Sequence, residues 1–185
     1  MNILVTGGAG FIGSHLVDTL VEAGHDVTVL DDLSSGRKEY VNQAAQFCQG
    51  DVRDTEALDR LFAGTAFDVV FHGADKTQAP CSMFHPREEA DVSILGLINV
   101  LEHCRRHDVK KILLSSSAAV YGNQEKGLAD ETAPVQPQSF YGLTKAAAEA
   151  YAALYHRMYG LPYAVLRYAN VYGERQGSGT EDGVV

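Results

Sequence analysis

Asn2-Ile3-Leu4-Val5-Thr6-Gly7-Gly8-Ala9-Gly10-Phe11-Ile12-Gly13-Ser14-His15-Leu16 is the stretch on which the fold turns. An apolar run too short for a helix leads into a glycine cluster and then into residues with helical apolar spacing. The reading is strand, tight turn, helix. Glycines at such a turn let the backbone approach a pyrophosphate. The amides and positive dipole end of the new helix then attract it without a cationic side chain. Gly8, Gly10 and Gly13 fit G-x-G-x-x-G, whereas Gly7, Gly10 and Gly13 fit a wider G-x-x-G-x-x-G, and spacing leaves both open. Gly13 in either case lets helix and strand pack closely.

The context after the turn is that of a dinucleotide site. A second apolar run, residues 26–30, ends at Asp31, about 20 residues past the glycines, where a carboxylate accepts from both adenosine ribose hydroxyls. A phosphate on the 2′ position, ~4 Å from that carboxylate, would cost on the order of 4 kcal/mol per unit charge at a surface-like dielectric. NAD is therefore expected rather than NADP. Arg37 is the nearby base that could soften this preference; otherwise it is a solvated loop charge.

Size and charge bound the partners. The 185 residues suit one domain, and 15 basic against 24 acidic residues give a formal charge of −9. Such a balance repels nucleic acid and anionic membrane. No run approaches the ~18 residues of a membrane span. Cys48, Cys81 and Cys104 have neither disulfide-scaffold nor metal-ligand spacing, so no metal is expected and a reducing, cytoplasmic setting is.

Strand and helix patterns alternate along the chain. Helices are expected at residues 11–23, 55–62, 86–107 and 140–159, and further strands at 45–49, 67–72, 111–114 with the serines beyond, and 163–168. This is an α/β chain with a Rossmann-type doubly wound parallel sheet. Residues 1–172 are expected to form the dinucleotide-binding domain, and 173–185, glycine-rich and polar with no period, a flexible tail. After the third strand, Asp51 is placed to accept from an adenine amino group with Val52 against the ring, while Asp54 caps the next helix. His103 and His107, four apart, have the spacing of a metal pair but read better as solvated residues at the negative end of a helix.

Tyr141 and Lys145 are also four apart, which puts a phenol and an ammonium on one helix face. A phenol is a poor base at neutral pH, its reference pKa being ~10, and lowering it by ~3 units takes about 4 kcal/mol. One cation ~4 to 5 Å away contributes a similar amount at an effective dielectric of 20. Lys145 and an oxidised nicotinamide ring together would suffice, so the phenol becomes a base only with NAD⁺ bound. Ser117, at the end of the fifth strand, can share the substrate proton with Tyr141.

These residues, with Val5 to His15, Asp31 to Gly36, Gly50 to Asp54, Ser115 to Gly122 and Leu166 to Gly173, resemble the extended short-chain dehydrogenase/reductases. Within them the likeness is to the NAD-dependent epimerase/dehydratase family and its nucleotide-sugar epimerases of the UDP-glucose 4-epimerase type. The resemblance implies a catalytic trio of Ser117, Tyr141 and Lys145. It also implies a cofactor lined by Gly7, Gly10, Phe11, Ile12, Gly13, Asp31, Asp51, Val52, Ala74, Tyr141, Lys145 and Tyr168, and a substrate, most simply a UDP-sugar, held by Ser117, Tyr141 and Asn170.

The implied reaction is oxidation at C4 of the sugar to a ketone and re-reduction on the other face, with NAD⁺ regenerated each cycle. Sister dehydratases carry a carboxylate where this chain has Ala119, so elimination is disfavoured. Two positions depart from the family pattern: Asp75 follows His72 where a small apolar run is usual, and Ser93 stands for an asparagine. Relatives run well over a hundred residues further, so the resemblance implies an N-terminal fragment whose tail, 173–185, begins a substrate-binding region with its C-terminal part missing, and it implies a homodimer through the two long helices. The alternatives are a non-catalytic NAD-binding module and a nucleotide-sugar reductase of the same superfamily.

Overall fold

A computed structural model describes residues 1–75, 83–123 and 129–176. Six parallel strands form one sheet in the order β3-β2-β1-β4-β5-β6. They are β1 (Asn2–Thr6), β2 (Asp26–Asp31), β3 (Gln46–Gln49), β4 (Val69–His72), β5 (Lys111–Ser117) and β6 (Tyr163–Tyr168). Between them run α1 (Phe11–Glu22), α2 (Thr55–Gly64), α3 (Pro86–Ala90), α4 (Leu97–Arg106) and α5 (Phe140–Tyr159). The chain is thus the Rossmann-type doubly wound sheet that its alternating pattern predicts.

Both faces of the sheet are covered, which is why its strands read as continuous apolar runs. On β1, Leu4 faces a core with Leu58, Phe62, Val70, Leu97, Leu101 and Ile112, while Ile3 and Val5 face a second with Val17, Val27 and Val29. Strand order reverses between β1 and β4, and the loops beyond their carboxyl ends part there to open a crevice. Two backbone bonds pin that edge: Gly7 N–H to the Leu30 carbonyl at 2.9 Å and Gly73 N–H to the Thr6 carbonyl at 3.0 Å.

One expected element is interrupted. The single helix foreseen over 86–107 breaks into α3, a π-helical segment (Asp91–Gly96) and α4. Gly96 there abuts Val52, whose Cγ2 lies 2.5 Å from where a Cβ would stand. The wider turn also leaves Ser93 buried, facing inward. His103 is corrected too. It is buried, not solvated, because Asp59 of α2 meets its Nε2 at 2.9 Å and the Asn99 carbonyl its Nδ1 at 2.7 Å. Asp54 caps α2 as foreseen, accepting from Ala57 N–H at 3.0 Å.

The described part of the tail, residues 173–176, is docked rather than free. Arg175 pairs with Asp18 of α1 at 2.7 Å, and the Glu174 carbonyl lies 2.8 Å from His15 Nε2. Residues 177–185, with Cys81 and Lys76, lie outside the described residues. No helix among the described residues is long and apolar enough to cross a membrane.

Candidate active site

The crevice has a volume of about 940 Å³, and its floor is the glycine turn. Gly7 has φ +73°, a left-handed conformation, with the Gly73 backbone 2.7 Å from its would-be Cβ. A Cβ on Gly13 would collide with the Gly7 carbonyl. Gly7, Gly10 and Gly13 line the crevice, while Gly8 is turned onto Val29, so the wider of the two glycine spacings is the one that faces the cavity. Gly10 caps α1 without a side-chain bond and no acid sits in the first turn, which leaves the amides there to a ligand. Phe11 and Ile12 follow on the crevice wall.

Asp31 stands at the end of β2, where the chain must turn toward the glycine loop. Its Oδ2 accepts from Ala9 N–H and its Oδ1 from Leu33 N–H, both at 2.9 Å. Burial raises its carboxyl above the ordinary range, against the pull of those two amides. Each oxygen keeps a second lone pair for a ribose hydroxyl. Asp51 also borders the crevice, but Arg53 clasps its carboxylate through Nε at 3.0 Å to both oxygens and Nη2 at 2.5 Å, and holds its pKa below the usual range. An adenine amino group would share that carboxylate with Arg53. The Asp-x-Arg spacing was visible in the sequence, but the clasp was not foreseen. Val52 is buried beside it, and Ala74 donates its N–H to Thr6 Oγ1 at 3.2 Å on the opposite wall.

The catalytic candidates come together from β5 and α5. Ser139 caps α5, accepting from Gly142 N–H at 3.0 Å, and Gly142 lets the helix press to within 2.6 Å, at its would-be Cβ, of the Ala119 carbonyl. That contact sets Tyr141 beside Ser117, its hydrogen-bond partner. Ser117 in turn sits opposite Tyr168 in the β5–β6 register, and Asn170 follows at the open rim. Lys145, one turn on, is buried with Nζ 5.7 Å from the Tyr141 ring centroid and donates to the Ser115 carbonyl at 2.7 Å.

Asp75, which the sequence marks as a departure that places charge near the cofactor, proves to be a partner of Lys145. Its carboxylate forms an ion pair with Lys145 and accepts from the Ser93 hydroxyl. Burial raises the Tyr141 phenol above its ordinary value, and Asp75 and Glu89 add to this while Lys145 and Ser117 oppose it. Lys145 therefore does not by itself make the phenol acidic. Burial pulls the Lys145 ammonium down, but Asp75 and the phenol outweigh it and hold the ammonium above its ordinary value. No cluster of three or more metal-ligating side chains occurs among the described residues.

A sequence model of the NAD dependent epimerase/dehydratase family matches residues 3–185. The chain is 47% identical over 184 residues to a putative UDP-glucose 4-epimerase of Methanocaldococcus jannaschii and 41% identical over 173 residues to the UDP-glucose 4-epimerase of Lacticaseibacillus casei. It covers 99% and 94% of itself in these matches but only 60% and 52% of those proteins. In three dimensions it is similar to the Thermus thermophilus UDP-glucose 4-epimerase in complex with NAD. There the TM-score is 0.96 and the identity 42%, over 99% of this chain and 60% of that one. The Thermotoga maritima enzyme with UDP-glucose gives a TM-score of 0.94 at 44% identity, over 97% and 59%. The chain thus spans about 60% of the length of the Methanocaldococcus protein and the Thermus structure. With the glycine turn, Asp31 and the Ser117, Tyr141, Lys145 cluster facing one crevice, the chain belongs to the NAD dependent epimerase/dehydratase family.

Proposed function

We propose that this chain is the cofactor-binding and catalytic part of an NAD-dependent nucleotide-sugar 4-epimerase, acting on a UDP-sugar of the glucose/galactose type. The observation that carries this reading is the convergence of Ser117, Tyr141 and Lys145 on the crevice floored by Gly7, Gly10 and Gly13. The turn fits a pyrophosphate, since side chains at Gly7 or Gly13 would fill the approach. Asp31 offers the ribose acceptor. Bound NAD⁺ supplies a hydride acceptor and a second positive charge near the phenol.

Tyr141, once ionised, removes the proton of the sugar C4 hydroxyl and later returns it to the same oxygen. Ser117 holds that oxygen in line, and Lys145 stabilises the phenolate. Tyr168 covers the nicotinamide end and Asn170 meets the substrate diphosphate. Rotation of the 4-keto sugar between the two transfers inverts the centre. Neutral Ala119 leaves no second acid for elimination.

A homodimer fits the same reading. Phe140, Leu143, Tyr151, Leu154 and Met158 are all exposed and fall on one face of α5. The test is conversion of UDP-glucose to UDP-galactose by the full-length protein without net NADH change. No turnover with NAD⁺ bound overturns the reading. Stoichiometric NADH consumption with a keto-sugar would mark a reductase instead.

A further inference from the structure

Against Lys145 lie Asp75, Ser93 and Glu89, polar groups that the reaction as written does not use. Asp75, at the first turn beyond β4, has only 3% of its side chain exposed and Lys145 only 9%. Ser93, on the inner side of the π-helical segment, donates to Asp75 and lies 3.3 Å from Glu89 Oε1, itself buried. Lys145 is thus held from two sides, by the Ser115 carbonyl at 2.7 Å and by the Asp75 carboxylate.

We propose that Asp75 is a positioning residue of the proton-transfer site: held by Ser93, its carboxylate clamps the Lys145 ammonium and offsets part of the charge that Lys145 exerts on Tyr141. The proposal rests on the reading of Tyr141 as the base. Its consequence is that Lys145 alone does not ionise the phenol, so the base forms only when a second cation arrives. Among the described residues, the charged groups bearing on the phenol include Lys145 on its own helix, Asp75 beyond β4 and Glu89 on α3. His72 of β4 stays neutral, its ring bonded to Thr6 Oγ1 at 2.9 Å.

The test is a pH titration of the Tyr141 ring carbon Cζ by NMR in the full-length protein, without and with NAD⁺. The resonance is assigned by its loss in Tyr141→Phe. Asp75→Asn removes the negative charge while keeping the shape, so the phenol midpoint is expected to fall by about one pH unit in both states. Ser93→Ala leaves the charge in place and is expected to move the midpoint less than half as far. Asp75→Ala replaces the amide variant should that one fail to fold, with the same shift expected. An unmoved midpoint without Asp75, or an equal shift from Ser93→Ala, overturns the proposal. The titration needs no sugar, so a protein that shows the shift yet turns over no nucleotide sugar overturns the epimerase reading alone.

Discussion

The Asp31 carboxylate accepts the Ala9 amide proton across 2.9 Å, tying the end of β2 to the glycine turn 22 residues earlier. One side chain therefore shapes the turn and offers an acceptor to what binds there. Asp31→Asn keeps an acceptor for one of the two amides it serves but removes the charge. Loss of a hydrogen bond to a charged group costs about 1.5 to 3 kcal/mol, so NAD⁺ affinity is expected to fall tenfold or more. Affinity for NADP⁺ should fall less, because the repulsion of a 2′-phosphate disappears with the charge. Calorimetric titration with both dinucleotides checks this, and an unchanged NAD⁺/NADP⁺ ratio contradicts it.

Tyr141→Phe isolates the chemistry. On the proposed mechanism only the hydroxyl of Tyr141 takes part while the ring keeps its place, so NAD⁺ affinity should stay within about threefold. Turnover should drop by about a thousandfold, within the range for loss of a general base. Binding titration and initial rates on the full-length protein measure the two effects. An equal loss of both would remove Tyr141 from the reaction.

Much of the fold and of the site is legible in the sequence. Apolar runs such as Ile3-Leu4-Val5 and Val27-Thr28-Val29-Leu30 mark strands buried on both faces, and glycines bracket the turn. Tyr141 and Lys145 needed only the helical repeat to share a face. What stayed hidden depends on contacts between distant segments. Asp75, just past β4, meets Lys145 because β4 and β5 are neighbours and α5 packs on β5. The burial of His103 rests on Asp59, 44 residues away. The π-helical segment at Asp91–Gly96 breaks the 3.6-residue period, yet its apolar residues read equally well as a continuous helix. Choosing between the two glycine spacings required knowing which glycine has Val29 behind it.

The exposed stripe on α5 gives a test of assembly. Leu143 and Met158 are 54% and 63% exposed, so replacing them need not disturb the core. The double variant Leu143→Arg/Met158→Arg sets charge into a face that a second copy would bury. Sedimentation velocity should find a dimer for the full-length protein and a monomer for the variant, with NAD⁺ affinity retained. A variant that still dimerises places the interface elsewhere.

Glu149 joins α5 to the last two strands. It accepts from Ser116 Oγ at 2.6 Å and takes Arg167 through Nε at 2.9 Å and Nη2 at 2.7 Å. The Arg167 and Glu149 side chains are 20% and 14% exposed, so the pair is only partly screened. Glu149→Ala leaves the serine hydroxyl and the Nε and Nη2 of the guanidinium without their acceptor, while Nη1 keeps the Tyr121 hydroxyl at 2.9 Å. The expected loss is about 2 to 3 kcal/mol, below the 3 to 5 of a fully buried pair. Adding Arg167→Met should recover part of it. Urea unfolding of the single and double variants completes the cycle, and strictly additive effects would mean that the two side chains do not cooperate.

His72 is expected to make the stability of the fold fall at acid pH. Burial, with Lys145 adding to it and Asp75 opposing, pushes the imidazole down from 6.5 to about 4. Above pH 6.5 neither the folded nor the unfolded chain protonates it, and it has no effect on stability. Between 6.5 and 4 the unfolded chain binds a proton that the folded chain refuses, so stability falls as the pH drops. At one pKa unit per 1.36 kcal/mol the full loss approaches roughly 3 kcal/mol below pH 4. His72→Gln stays neutral throughout and retains a partner for Thr6. Its own cost should be constant with pH, so its stability curve should fall less steeply than the wild type's from pH 6.5 downward. Parallel curves in urea unfolding between pH 7 and about 4.5 would show that the imidazole accepts its proton inside the fold.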